Sequence, residues 1–340
     1  MTPTNLLLIA CALQLSAQSD QGINAKTRDQ VINTVLETLN RSYVYPEVAK
    51  EMVGSVRARQ AKGEYDLLAS NSDFAWKLSE DLRAVSHDKH LHVDYSFDPT
   101  QEADARRIRE QSGPGNFGLF ESVQHLPGNI GYLELRSFGV SEVAGQEAAS
   151  AMSSVADSDA LIIDLRYSGG GRPAMVQLLS SYLFGPNPMQ LYDMYDRPTD
   201  SLHQVWTLPD VPGRRLPNTD VYILTSPRTF SAGEAFAYNL QCLKRATIVG
   251  EVTGGGAHSG EEQPIGEHFT MFVPTGRVIN PITKTDWESV GVKPDVAVPE
   301  EKALKMAQLM ALKKIAKKAA DPMVKLRLAH MTFDLEKDLR

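Results

Sequence analysis

The sequence predicts an α/β protein built on a parallel sheet, with a small helical unit before the sheet and a helix after it. Three observations carry this. Continuous apolar runs of strand length, ALIIDLR (160–166), DVYILT (220–225) and ATIVGE (246–251), end in charged or glycine-rich turns. Segments suited to helices, 142–155, 173–184 and 231–243, alternate with them. Strands that are apolar throughout are buried on both faces, and strands alternating with helices are joined by crossovers, which is the pattern of a parallel sheet.

The elements follow in chain order. Residues 6–15, LLLIACALQL, form an uncharged run about half the ~20 residues a membrane span needs. The run fits the apolar core of a signal peptide over 1–19, with Ala17-Gln18-Ser19 as a small-x-small cleavage site and export as the consequence. No Lys or Arg precedes the run, and Leu8-Ile9-Ala10-Cys11 offers a second reading, a lipoprotein anchored at Cys11. Residues 24–97 read as a helical domain. Val31, Val35, Leu36 and Leu39 recur at helical spacing, Pro46 opens a second helix, and Asn71 or Ser72 caps a third that carries Phe74, Leu78, Leu82 and Val85 on one face. LHVDY (91–95) leaves this unit as a strand, and the polar stretch 98–117 is a linker. The core spans 118–300 and opens with two strands around Pro127-Gly128-Asn129. Over 301–340 a C-terminal helix and tail follow. The helix has Leu304, Leu312 and Ile315 on its apolar side and six lysines between 302 and 318, read as a solvated face.

Composition excludes several classes of function. With 35 Lys+Arg against 42 Asp+Glu the net charge is −7, and no basic block suggests nucleic-acid binding. Two cysteines, Cys11 and Cys242, rule out a disulfide scaffold and any Cys-x-x-Cys metal cluster, and leave Cys242 as a buried thiol. Nothing in the sequence fixes the oligomeric state.

Ligands of parallel α/β sheets bind beyond the carboxyl ends of the strands, and three junctions there stand out. Asp164-Leu165-Arg166-Tyr167-Ser168-Gly169-Gly170-Gly171 is either a tight strand-to-helix turn or a set of backbone donors aimed at an oxyanion. In Ser226-Pro227-Arg228-Thr229-Phe230-Ser231-Ala232-Gly233-Glu234, Ser231 opens a helix, either as its cap or as a nucleophile at the positive end of the helix dipole. Thr253-Gly254-Gly255-Gly256-Ala257-His258 lacks the Gly-Lys-Ser/Thr of a phosphate loop, so a nucleotide site is unsupported.

In this order, and with the closing Gly291-Val292-Lys293-Pro294-Asp295, the junctions resemble the tail-specific (C-terminal processing) serine peptidases over about residues 30–300. The helical unit and Asp88-Lys89-His90-Leu91 are most similar to the branch containing the interphotoreceptor retinoid-binding protein, a branch similar to the tricorn protease core. The resemblance implies a crotonase-like α/β core and peptide or protein substrates. The linker is too short for the PDZ domain that some members carry. Ser231 matches the nucleophile, Gly170 and Gly171 the turn supplying one oxyanion donor, and the Ala232 N–H the other.

Many members activate the serine with a lysine where Gly256 stands, so a serine–lysine dyad is not supported. The tricorn-like branch implies instead a histidine base at His90, with Glu288 as its supporting carboxylate. A second serine of that branch is replaced by Lys89, and Ser168 stands where the turn usually has Asn. His258 is a competing base beside the glycine turn, His87 and His92 are weaker ones, and Glu234 reads as support for the serine loop. The expected function is an exported serine peptidase acting through an acyl-enzyme at Ser231, without metal or organic cofactor. The alternative is a non-catalytic binding module of the same fold for lipophilic ligands or peptides. An acyl hydrolase acting on thioesters is a third reading, but nothing resembles a coenzyme A site.

Overall fold

The computed structural model describes residues 22–68, 70–96, 118–139 and 143–339. The expected signal peptide, Cys11 and the 98–117 linker lie outside the described residues. Three helices come first: α1 (Ala25–Ser42), α2 (Pro46–Ala61) and α3 (Asn71–Ser86). The Asn24 side chain caps α1 by accepting from the Thr27 N–H at 2.9 Å, and Pro46 occupies the first turn of α2, where its missing N–H is not needed. The cap of α3 is Ser70 rather than Asn71 or Ser72, accepting from the Asp73 N–H at 3.0 Å.

Val31, Val35, Leu39, Phe74, Leu78 and Leu82 are buried together with Ile265, Phe269, Met271 and Val273. The helical unit therefore shares its apolar core with a hairpin from far along the chain, β9 (His258–Pro264) and β10 (Phe269–Ile279). The strand leaving the unit, β1 (His92–Tyr95), pairs antiparallel with β10. This docking fixes the segment around His90 against the segment that begins at His258.

The central sheet has the order β11-β8-β7-β4-β3-β2, comprising β2 (Phe120–Leu126), β3 (Ile130–Leu135), β4 (Ala160–Asp164), β7 (Asp220–Thr225), β8 (Ala246–Gly250) and β11 (Val296–Ala297). All neighbours run parallel except β2, which turns back on β3 through Gly128 and Asn129 at φ 90° and 60°. Glycine and asparagine tolerate such positive φ best. Both faces of the sheet are covered, as its apolar strands require. Leu133, Leu161, Ile163, Val221 and Ile223 face α4 (Ala144–Ser154), α5 (Pro173–Tyr182) and α6 (Ala232–Cys242). Tyr132, Ile162, Tyr222 and Leu224 face α7 (Glu300–Lys318) and α8 (Pro322–Leu339).

The lysine-rich helix α7 lays Ala303, Ala307 and Ala311 on the sheet and turns its charges outward, where Lys314 and Lys318 hold Asp220 at 2.6 and 2.9 Å. Helix α8, for which the residues after Pro322 carried no recognised signal, folds back on α7 through Leu328 and the Lys305–Asp338 and Lys313–Glu336 ion pairs. No helix among the described residues is long and apolar enough to cross a membrane. Cys242, expected in the core, is half-buried at the end of α6.

A second sheet, wholly antiparallel, was not anticipated: β1, β10, β5 (Gln190–Asp196) and β6 (Ser201–Trp206) in order, with β9 on the other side of β10. Its strand β9 reads HSGEEQP, polar and mostly half-exposed, and β6 SLHQVW, mixed and mostly exposed, so neither shows the apolar run that marks the central strands.

Candidate active site

The first two junctions are bound into one body. At the end of β4 the Asp164 carboxylate takes Arg166 Nε at 2.9 Å and Nη2 at 2.5 Å and accepts from Tyr132 Oη at 2.8 Å. This buried, bidentate pair sets the glycine turn on a rigid base. Thr229 Oγ1 donates to the Leu165 carbonyl at 2.8 Å, Ser226 Oγ to the Arg166 carbonyl at 2.5 Å, and the Phe230 N–H to the Ser168 carbonyl at 3.0 Å. Gly170, at φ 105°, lies so close to the second junction that a Cβ there would come 2.7 Å from Ser231 Cβ and 3.1 Å from the Ala232 nitrogen. Ser168 Oγ, where the resemblance expects Asn, is buried without a hydrogen-bond partner among the described residues.

Ser231 is the N-cap of α6 at φ 52°, ψ −117°. Few L-residues tolerate this region, and backbone strain of this kind collects at functional sites. The conformation is held by Glu234, one turn into the helix. Its carboxylate, fully buried, accepts from the Ser231 N–H at 2.9 Å, the Gly256 N–H at 2.9 Å, the Gly255 N–H at 2.6 Å and Thr253 Oγ1 at 2.5 Å. Burial pushes its pKa up, and these four donors oppose the shift. One side chain thus ties the serine loop to the third junction.

At that junction Gly256 has no room for a side chain. A Cβ would lie 2.3 Å from Phe230 Cζ and 2.7 Å from His90 Cε1. The imidazole of His90, against the Phe230 ring at a centroid separation of 4.6 Å, fills the space into which a lysine at 256 would grow. Lys89 Nζ donates to the Gly254 carbonyl at 2.5 Å and fastens the His90 segment to the glycine turn. Gly256→Lys is therefore expected to lower both stability, by about 1–3 kcal/mol as overpacking does, and turnover, instead of creating a serine–lysine dyad; a thermal melt and a hydrolysis assay check both.

Four histidines lie near the junction, and the structure separates them. His87 is the exposed, left-handed cap of α3. His92 has both ring nitrogens engaged, Nδ1 at 2.6 Å from the His90 carbonyl and Nε2 at 3.2 Å from Asp94. His90 and His258 remain. Burial drives the pKa of His90 down to about 4 against the opposing charge of Asp88, so its ring is neutral at neutral pH. His258 Nδ1 lies 2.6 Å from Asp88 Oδ2 and 3.7 Å from Glu288 Oε2. Burial works to lower the pKa of His258, but the hydrogen bond and charge of Asp88, with Glu288 and Asp286 behind, outweigh it and raise it.

Glu288, expected beside His90, is placed against His258. Its Oε2 accepts from the Ala257 N–H at 2.5 Å, and burial pushes its pKa up to about 7. Ligand atoms of Asp88, His258 and Glu288 all fall within 4.8 Å of one another. The 2.6 Å contact between His258 and Asp88 is a direct hydrogen bond, so a proton joins these two, while Glu288 stands 3.7 Å off.

Ser231, Ala232, Gly171, His90 and His258 line one cavity of about 670 Å³, walled further by Trp287 and Val278. Gly170, Glu234 and Glu288 stand behind its surface. No hydrogen bond joins the Ser231 hydroxyl to either imidazole among the described residues; catalytic hydrogen bonds commonly close only around substrate. The residue that sequence reasoning passed over is Asp88. It is fully buried, takes His258 through Oδ2 and the His90 N–H through Oδ1 at 3.0 Å, and accepts from Tyr43 Oη at 3.2 Å. Its main partner is 170 positions away, and only its place two residues before a candidate base hinted at it.

Comparison with known proteins agrees with this architecture. Residues 129–298 match the model of peptidase family S41, and residues 24–116 match the N-terminal domain of Peptidase_S41 in eukaryotic IRBP. The chain belongs to peptidase family S41. A putative peptidase from Parabacteroides merdae superposes with a TM-score of 0.59 at 20% identity, covering 84% of this chain and 97% of that one. Mature CPAF gives 0.62 at 11% identity over 87% and 98%, and the photosystem II D1 C-terminal processing protease gives 0.53 at 14% over 82% and 94%. At these identities the likeness is one of fold.

Proposed function

We propose that this member of the family is a serine-type peptidase that cleaves peptide bonds through an acyl-enzyme at Ser231. The observation that carries this reading is the single cavity in which Ser231, strained at a helix N-terminus, meets the glycine turn and two imidazoles. His90 is the base. Kept neutral by burial, it accepts the Ser231 proton as Oγ attacks the scissile carbonyl, and Asp88 offsets the charge that forms on the ring. The developing oxyanion is bound by backbone N–H groups of the glycine turn, Gly170 or Gly171, and of Ala232, in the field of the α6 N-terminus. Strand β9 pairs only with β10 among the described strands and runs along the cavity from His258 to Glu262, leaving an edge on which a peptide can add as a strand. The uncharged run at 6–15 supports export of the enzyme.

Labelling with a fluorophosphonate tests the proposal. The wild type is expected to take one label, Ser231→Ala none, and His90→Ala a label formed at least 100-fold more slowly, the usual size of a general-base contribution. A folded wild type that takes no label would overturn the reading and leave the binding module.

A further inference from the structure

His90 accounts for the proton that leaves Ser231. It leaves unexplained a second imidazole in the same cavity wall, held more firmly than the first. His258 sits at the start of β9, is 5% exposed, and has Nδ1 fixed by Asp88 at 2.6 Å. Its Nε2 is buried without a hydrogen-bond partner among the described residues. A histidine lining the proposed peptide-cleaving cavity, with one ring nitrogen locked onto a buried carboxylate and the other unpartnered among the described residues, is a proton-transfer group without an assigned proton.

The surroundings of His258 fix which way that proton moves. Asp88 and Asp286 present negative charge to it, and Glu288 adds to this when ionised. The Tyr45 ring meets it edge-on at 5.4 Å, Tyr43 donates to Asp88 behind it, and Arg277 stands opposite it in the β10 register. His90 is the neighbouring imidazole. Asp88 at hydrogen-bond distance, with Asp286 and ionised Glu288 behind it, outweighs one nearby cation and favours the protonated ring. Two like groups whose environments drive them apart in basicity mark out an acid and a base.

We propose that the two histidines divide the labour, with His90 accepting the proton of Ser231 Oγ and His258 Nε2–H donating to the leaving amine. This rests on the reading of Ser231 as nucleophile. In acylation the Oγ–C bond forms as the Oγ proton passes to His90. The C–N bond then breaks, and the amine nitrogen takes its proton from His258 Nε2, leaving His258 neutral and His90 charged. Before deacylation His90 releases its proton to water and His258 regains one from water. His90 then accepts a proton from the attacking water and returns it to Oγ as the acyl bond breaks.

An aryl ester and an anilide of the same acyl peptide test this, because a phenolate leaves without protonation and an amine does not. His258→Gln is expected to lower the ratio of anilide to ester acylation rates at least 100-fold, within the range of general-acid contributions. Asp88→Asn, which removes the negative charge holding the proton, is expected to lower the same ratio. It should also move the high-pH loss of anilide cleavage to lower pH by a unit or more. A ratio unchanged in both variants, whether the two rates fall together or neither falls, overturns the proposal while leaving the nucleophile in place. Absence of fluorophosphonate label on the wild type removes the nucleophile, and this proposal with it.

Discussion

Ser231→Ala is expected to lower kcat for peptide hydrolysis by about a million-fold, the scale on which serine peptidases lose activity without their nucleophile, while leaving KM within about threefold. The argument is one of separable functions. The glycine turn, the Ala232 N–H and the cavity walls do not depend on the hydroxyl, so binding and oxyanion stabilisation persist, and they sustain the residual rate. Stability should move little. Ser231 is half-buried, and the bond that holds its loop runs from its backbone N–H to Glu234, which alanine keeps. Loss of an N-cap hydroxyl costs about 1 kcal/mol, a fall of a few degrees in Tm at most. The measurement is a progress curve on any peptide the wild type cleaves, beside a thermal melt. A variant retaining a tenth of the wild-type kcat would remove Ser231 from the mechanism.

How far the sequence reached is best judged at particular residues. The central strands were legible because each is apolar along its whole length, and the sheet indeed alternates its side chains between two helical layers, Leu161 and Ile163 to one and Ala160 and Ile162 to the other. The antiparallel sheet was not, because β9 is polar and β6 is of mixed character and largely exposed, and both are held by docking against β10 and β5. The junctions of Ser231 and the glycine turn could be singled out because strand ends are where the chain of an α/β sheet can present donors, while the choice of nucleophile over helix cap came from the family resemblance. The partnership of Asp88 with His258 could not, since it arises only when the N-terminal helices close on the β9–β10 hairpin. The same closure explains how a chain with glycine at 256 keeps an imidazole there. The ring of His90 arrives from the helical unit and lies where a side chain on the glycine turn would otherwise be. On the proposed reading, the base is supplied across the shared core of two segments instead of from the turn itself. Damage to the helical core, as at Leu78 or Phe74, would reach the active site through His90.

Glu234→Ala is expected to damage stability and activity together, and it separates an anchoring role from a simple helix cap. The carboxylate gathers three backbone N–H groups and the Thr253 hydroxyl, whose oxygen in turn accepts from the Val292 N–H at 2.7 Å. Removing it strands three buried donors and the half-buried Ser231 N–H. Each unsatisfied group costs about 1–3 kcal/mol, and with partial relaxation and entry of water the net loss should be about 3–5 kcal/mol, on the order of 10 °C in Tm for a chain of this size. A cap alone would account for only about 1 kcal/mol. Activity should fall by at least about 100-fold even where the protein remains folded, because the loop carrying Ser231 and the turn packed on His90 lose their common tether, and misplacement by about 1 Å has that effect. Glu234→Gln keeps the volume but turns an amide N–H toward donors, so it should recover little of either. A Tm within 3 °C of wild type in Glu234→Ala, with turnover within threefold, would show that the serine loop and the glycine turn hold their places without the carboxylate.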